Sequence, residues 1–430
     1  MAEAMARPPR IALSNLGCRV NRVELDMMAL AFQEAGCELT GMREADVVVI
    51  NTCAVTGEAE AKTRKSVRHA AHLPQHPLVM ATGCVASLFA GELLGLADNV
   101  VVEADKRKVP ERVLSQLGWS ARQGVAAAGQ TVEHTTPTGR TRPGIKIQDG
   151  CDNHCTFCIV WKARGRSRSV EVQDVLAEVR AALARGAREV VLTGINLGNY
   201  RGEVDGRQIA LPGLIELILA RTDVGRIRLG SIEPPDVTPD LIDVMARAQE
   251  RVAPFLHVCL QSGCDKTLRE MGRVYDTAQY AKVVADARAA LPELSLGCDL
   301  IVGFPGESDE DFAQSLAFCE QMGFSRMHVF RYSRRPGTPA AARPDQVPAE
   351  VSAARSEQML RLAARMRANQ ARERVGADEL VVVQRPGAGV SGGLFDVLVD
   401  DDLPVDELVR VRIRAARADG TLDGRTSTII

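Results

Sequence analysis

Gly150-Cys151-Asp152-Asn153-His154-Cys155-Thr156-Phe157-Cys158 sets three thiols in a Cys-x3-Cys-x2-Cys loop. Three thiolates hold three irons of a four-iron cluster and leave the fourth iron open to a small molecule. A structural zinc site takes four ligands, usually from two paired halves. His154 offers a fourth, but it stands between two of the cysteines, and a tight loop hardly lets one metal reach all four. No second cysteine pair follows at zinc-finger spacing, so an iron–sulfur centre is expected here.

Working outward, the loop follows a β-like run at 145–147. Further strands are expected at 189–194, 226–232, 255–261, 295–302 and 326–332. Helical periodicity lies between them, for example at 173–185 and 277–290. Six strand–helix units predict an incomplete (β/α)6 barrel, whose active site opens at the carboxyl ends of the strands. The cysteine loop then lies at that mouth.

Upstream, strands at 11–16, 46–51, 77–81 and 100–103 alternate with helices at 20–35, 58–72, 82–94 and 110–117, which predicts a parallel sheet. Three of these strands end alike, in Leu16-Gly17-Cys18, Asn51-Thr52-Cys53 and Thr82-Gly83-Cys84. Ligands of open α/β sheets sit beyond the carboxyl ends of strands. Taken singly, each thiol reads as a buried cysteine. Together they predict a second three-thiol site. Cys37, Cys259, Cys264, Cys298 and Cys319 have no ligand spacing and read as core.

Downstream, 347–374 reads as a long Arg-rich helix, followed by short strands at 380–384, 394–399 and 408–415. The expected division is an α/β domain at 1–118, a linker at 119–143, a partial barrel with its trailing helix at 144–374, and a small all-β domain at 375–430.

Apolar residues are 46% and charged residues 25% of 430, an ordinary globular composition. Basic residues number 53 and acidic ones 55, so any nucleic-acid surface has to be a local patch. The tail from Gly376 carries ten acidic and six basic residues, yet Arg410, Arg412 and Arg414 alternate on one strand face, an arrangement for phosphates or merely a solvated edge. Arg164–Arg168 and Arg334–Arg335 lie nearer the barrel mouth and are the stronger candidates for such a local patch. Eleven scattered cysteines in a long chain read as metal ligation in a reducing compartment rather than a disulfide framework. Residues 1–10 have no apolar core of signal-peptide length and no run reaches membrane-spanning length, so a cytoplasmic chain away from membranes is expected.

Polar and small residues collect at the other expected strand ends: Thr193-Gly194, Ser231-Ile232-Glu233, Gln261-Ser262-Gly263 and Val302-Gly303. Glycine there allows close backbone approach, and Ser, Glu and Gln bond ribose hydroxyls or an ammonium. Each alone reads equally as a helix cap. With the cysteine loop they describe a site for a nucleoside joined to an amino acid. Phe157 lines that pocket or packs as a core aromatic.

The loop, with Arg164-Gly165 and Arg168-Ser169 after it, resembles the radical S-adenosylmethionine enzymes. Adding Leu16-Gly17-Cys18, Asn51-Thr52-Cys53, Gly83-Cys84, Gln261-Ser262-Gly263 and the run Ile301-Val302-Gly303-Phe304-Pro305-Gly306-Glu307, the chain resembles the methylthiotransferases over nearly its whole length. Asp152, Ser231-Ile232-Glu233 and the short tail look most like the branch acting on threonylcarbamoyladenosine in transfer RNA. Sibling branches act on isopentenyladenosine in transfer RNA and on an aspartate of a ribosomal protein. The resemblance implies that Cys151, Cys155 and Cys158 hold the radical-generating 4Fe–4S cluster, and Cys18, Cys53 and Cys84 an auxiliary 4Fe–4S cluster carrying the sulfur. It implies S-adenosylmethionine as methyl and radical source, with Phe157, Thr193, Gly194, Ser231, Glu233, Gln261 and Gly303 as pocket residues. No side-chain acid or base is expected to be catalytic. A methylthio group replaces the hydrogen on the adenine carbon between two ring nitrogens. The resemblance further implies a transfer RNA anticodon loop as partner, an electron donor such as flavodoxin or ferredoxin, a monomer, and a TRAM-like RNA-binding tail. Trp161 and Cys259 stand where the family usually has proline, and Cys264 where serine is common. A metal-bound, non-catalytic RNA-binding protein is the reading from outside the enzymes.

Overall fold

A computed structural model describes residues 7–119 and 136–429. The chain forms two compact units. The first holds residues up to Gly139 with Gly150–Asp152 and Cys158–Arg166, and the second holds Arg140–Asp149, Asn153–Phe157 and Ser167–Ile430.

The first unit is built on five parallel strands in the spatial order Glu38–Leu39, Arg10–Asn15, Val47–Thr52, Leu78–Gly83, Val100–Val102. Val47–Thr52 is buried along its whole length, the mark of a central parallel strand covered on both faces. Val48 and Ile50 pack on one face with Ala70 and Val79, while Val47 and Val49 pack on the other with Leu25, Phe32 and Met80. The expected helix at 82–94 is two short helices, Cys84–Leu88 and Ala90–Leu94, separated at Phe89. Trp119, the first residue of the expected linker, is packed into this unit, with Nε1 donating to the Ala35 carbonyl at 2.9 Å. Residues 120–135 of that linker lie outside the described residues.

The second unit carries six parallel runs in chain order: Gly144–Lys146, Glu189–Thr193, Arg226–Leu229 continuing as Ser231–Ile232, Phe255–Val258, Ser295–Val302 and Arg326–Arg331. Gly230 breaks the third run in two. Alternate residues such as Leu192, Ile227, Leu256, Leu296 and Leu300 join one large core with the flanking helices. The intervening positions, including Glu189, Arg226, Arg228, Phe255, His257, Asp299 and His328, project to the other face.

After the helix Ala349–Glu373, five strands close a small barrel in the order Asp378–Arg385, Ala388–Ser391, Asp396–Leu398, Leu422–Ile429, Leu408–Ala416. Three strands were expected there. Ala388–Ser391 and Leu422–Ile429 complete the closure, which removes free sheet edges. Val381, Phe395, Val409 and Ile413 fill the interior. Arg226 and Arg228, fully buried, share the Glu189 carboxylate and donate to carbonyls of this barrel. Arg226 reaches Leu380, and Arg228 reaches Gly392 and Ser391, each at 2.9 Å. Among the described residues no helix is long and apolar enough to cross a membrane.

Candidate functional site

The three upstream cysteines sit just beyond three adjacent strands in strict register. Asn15 pairs with Asn51, Asn51 with Thr82 and Thr52 with Gly83. The Leu16 amide donates to the Asn51 carbonyl at 3.0 Å, and the Thr52 hydroxyl accepts from the Val85 and Ala86 amides at 3.1 and 3.2 Å. Cys18 caps the helix Arg19–Glu34, and Cys84 opens the helix Cys84–Leu88. Burial pushes the Cys53 thiol up to about 11, and the neighbouring Cys18 and Cys84 sulfurs push the same way. The structure thus brings Cys18, Cys53 and Cys84 together. A metal entering here takes thiolate, so binding expels protons.

Gly17 and Gly83 shape this edge. A β-carbon on Gly17 would lie 2.2 Å from Asn21 Nδ2, and one on Gly83 would lie 2.4 Å from the Thr52 carbonyl oxygen. Asn15 Oδ1, Asn51 Oδ1 and Thr82 Oγ1, one from each strand end, are buried without a hydrogen-bond partner. Free thiols, soft donors for iron, beside unsatisfied buried polar atoms fit an iron–sulfur cluster.

Asn21 fixes the strand ends from the helix side. Its Nδ2 donates to the Thr52 carbonyl at 2.8 Å, and its own carbonyl accepts from Asn51 Nδ2 at 2.6 Å. Its Oδ1 accepts from Lys106 at 3.1 Å and Arg164 at 2.5 Å, and both cations also bind Glu24. Arg164 was expected to face RNA. It is instead buried on Glu24, leaving Arg166 exposed at the end of that segment. Arg335 is likewise buried.

Of the loop cysteines, Cys151 and Cys158 belong to the first unit and Cys155 to the second. In the first, the Cys151 amide donates to the Gly165 carbonyl at 3.1 Å, and Cys158 Sγ accepts from the Val160 amide at 3.4 Å. Gly150 has φ +72°, and a β-carbon there would strike the Arg166 carbonyl oxygen at 2.0 Å. In the second, Arg273 NH1 donates to Cys155 Sγ at 3.0 Å. Arg273 also pairs with Glu233 and bonds Tyr275, whose hydroxyl donates to the Cys259 carbonyl at 2.8 Å. Sequence reading passed over Arg273. Nothing in the run Met271-Gly272-Arg273 marks it, because its partner is 118 positions away.

The other expected pocket residues divide. Ser231 is exposed, Thr193 is buried at its strand end, and Glu233 meets Arg273. Gln261 adopts φ +65°, a strained conformation held by backbone bonds to Asp299 and Ile301. Gly194 and Gly303 do permit close approach, but to protein. A β-carbon would meet Gln148 Oε1 at 2.9 Å in the first case and Ser352 Oγ at 2.5 Å in the second. Phe157 packs beside Met271 and Phe304. On the tail, Arg410 forms two 2.7 Å bonds with Glu250, and Arg412 bonds Asp378 at 3.0 Å. That strand face is therefore not a free cationic stripe. Cys37, Cys259, Cys264, Cys298 and Cys319 are buried, as core cysteines are.

Residues 145–319 match the Radical SAM superfamily, and residues 10–103 match a family described as Uncharacterized protein family UPF0004. The chain is 31% identical over 427 residues to the threonylcarbamoyladenosine tRNA methylthiotransferase MtaB of Thermotoga maritima, covering 97% of this chain and 98% of that protein. It is 35% identical over 368 residues to the protein of the same name in Bacillus subtilis, covering 82% of this chain and 80% of that one. It is 34% identical to the ribosomal protein uS12 methylthiotransferase RimO of Desulforudis audaxviator, over 96% of both chains. Among solved structures, the radical S-adenosylmethionine methyltransferase TsrM of Kitasatospora setae superposes with a TM-score of 0.54 at 15% identity, covering 78% of this chain and 77% of that one. This likeness speaks for the fold. Relatives above 30% identity along nearly the whole length, with the Radical SAM match, lead to one assignment: the chain belongs to the methylthiotransferase family of radical S-adenosylmethionine enzymes.

Proposed function

We propose that this enzyme inserts a methylthio group at C2 of the adenine of N6-threonylcarbamoyladenosine, next to the anticodon of transfer RNA. The observation that carries the reading is the near full-length likeness to relatives named for that nucleoside, joined to the convergence of Cys18, Cys53 and Cys84. Two 4Fe–4S clusters and S-adenosylmethionine, the cofactors of this family, supply the radical that removes the C2 hydrogen and the methylthio group that replaces it.

Cys18, Cys53 and Cys84 would hold the auxiliary cluster, and Cys151, Cys155 and Cys158 the radical-generating one. Arg273, donating to Cys155 Sγ, places a cation against one thiolate of the second set. Glu233 and Ser231 present oxygens for the amino-acid and ribose groups of S-adenosylmethionine, with Thr193 and Gln261 at neighbouring strand ends. A base in an unstacked anticodon loop is splayed out to reach such a pocket. We assign 1–118 to the auxiliary-cluster domain, 144–374 to a partial (β/α)6 barrel and 375–430 to a TRAM-like RNA-holding domain. The enzyme works as a cytoplasmic monomer with a flavodoxin- or ferredoxin-type donor.

The RimO relative favours a second reading, modification of an aspartate of ribosomal protein uS12, because its identity matches that of the transfer RNA enzymes. Mass spectrometry of both pools from a deletion strain separates them. The first reading expects loss of the methylthio mark on threonylcarbamoyladenosine and its return with the intact gene. An unchanged nucleoside beside an unmodified uS12 aspartate overturns it.

A further inference from the structure

His257, Asp299 and His328 stand on three neighbouring parallel strands of the second unit, Phe255–Val258, Ser295–Val302 and Arg326–Arg331. Asp299 and His328 are direct ladder partners, and His257 opposes Gly297. Residues alternating with them, such as Val258, Leu300 and Val329, face the helices, so these three project together from the opposite face. Asp299 Oδ1 lies 3.1 Å from His257 Nε2 and 3.0 Å from His328 Nδ1. One ligand atom from each residue falls within 4.8 Å of the others. Gly297 leaves room for the inner ring, since a β-carbon there would come within 3.0 Å of His257 Nδ1.

The two imidazoles meet the carboxylate differently. His328 Nδ1 makes a hydrogen bond to Asp299 Oδ1. His257 Nε2 is buried and equally near the same oxygen, which still feels it, but it stands off the line of a well-formed hydrogen bond. A ring nitrogen lying beside an oxygen without pointing at it is how two ligands sit around a shared ion. Ligand atoms about 2.0–2.1 Å from a zinc ion are themselves roughly 3.0–3.4 Å apart; the two separations to Asp299 already match this, and the two imidazole nitrogens, within 4.8 Å of each other, close towards it on binding. A half-buried carboxylate between two imidazoles also favours a counter-charge, and a coordinated cation supplies it with both rings neutral. The Phe255 ring beside His257 and the Phe330 ring beside His328 give the group apolar walls.

We propose that His257, Asp299 and His328 form a mononuclear site for a divalent transition-metal ion, separate from both cysteine sets. Two imidazoles and one carboxylate suit Zn²⁺ or non-haem Fe²⁺. The His328 side chain is 46% exposed, so the remaining coordination positions are open to water or to an oxygen ligand.

The test uses the enzyme with both iron–sulfur clusters loaded, so that the ligating thiols are occupied. Zn²⁺ is added in small excess, the protein is desalted against a weak chelator, and zinc and iron are counted by mass spectrometry. The site predicts about one retained zinc per chain. His328→Ala, at an exposed position, and the isosteric Asp299→Asn should each weaken retention by at least roughly tenfold to 100-fold, the range already seen when only an outer partner of a ligand is lost. Unchanged iron content and thermal midpoint show that the variants are folded. No zinc on the unaltered enzyme, or equal zinc on the variants, overturns the proposal. The measurement involves no RNA, so its outcome is independent of the substrate reading.

Discussion

Gly83 and Thr52 are pressed together across neighbouring strands: Gly83 has φ +97°, and a β-carbon on it would lie 2.4 Å from the Thr52 carbonyl oxygen. The contact sits one residue before both Cys53 and Cys84. Gly83→Ala should therefore cost about 1–3 kcal/mol in backbone strain alone, before the displaced oxygen is counted. The expected outcome is a lower urea midpoint together with a specific shortfall of iron at the auxiliary cluster. Full iron content in a merely less stable protein would contradict the placement.

The two thiol sets should be separable by iron analysis. Loaded anaerobically, the enzyme is expected to hold about eight irons, two four-iron clusters. Replacing Cys18, Cys53 and Cys84 by alanine should leave about four and abolish methylthio transfer, while cleavage of S-adenosylmethionine persists. Replacing Cys151, Cys155 and Cys158 should also leave about four but abolish both reactions.

The Glu189 carboxylate is shared by two guanidinium groups that have no access to water. Glu189→Gln leaves Arg226 and Arg228 uncompensated and should destabilise the second unit by about 3–5 kcal/mol. Arg410→Ala removes a pair with partners 34% and 54% exposed, and should cost at most about 1 kcal/mol. Urea titrations of the two variants, run side by side, give the comparison. Equal losses would show that the buried group does not anchor the tail.

Asp311 supplies a pH dependence of known sign. Burial pushes its carboxyl up, but bonds from Lys266 and from the Ser308 amide and hydroxyl outweigh that and hold it at about 2, against an ordinary 3.8. The folded value is the lower one. The stabilisation is thus complete above about pH 4 and is lost as pH falls towards 2. Allowing for solvent screening, the stake is about 1–2 kcal/mol. Asp311→Asn should flatten the stability profile across that window and leave it parallel above.

Both cysteine sets could be read from the chain because their information is local, and the strand-end set is the one whose members the structure brings together. One is a loop eight residues long, and the other is three strand ends of one pattern, which parallel pairing carries to the same edge. The six parallel strands were legible for the same reason, since each announces itself within its own run. What was missed depends on distant partners. Arg164 reads as an exposed cation until Glu24, 140 positions earlier, is brought to it. Gly194 and Gly303 read as doors for a ligand, because the chain does not reveal that Gln148 and Ser352 stand in the way. The strand Leu422–Ile429 lacks apolar alternation, and its partners supply its order. Trp119 opens a stretch rich in turn formers, yet it is claimed by the packing beside Ala35.

The row Asn15–Asn51–Thr82 locks three sulfur-bearing ends to a common ladder, while the helices linking those strands lie outside it. Lengthening a surface connection, for instance between the helix Gly57–Ala71 and the strand Leu78–Gly83, would leave the thiol triangle untouched. A single-residue deletion within any of the three strands would rotate one sulfur to the opposite side of the sheet. In this enzyme the outer connections can therefore change in length at little cost to the thiol triangle, whereas the length of those three strands is fixed by it.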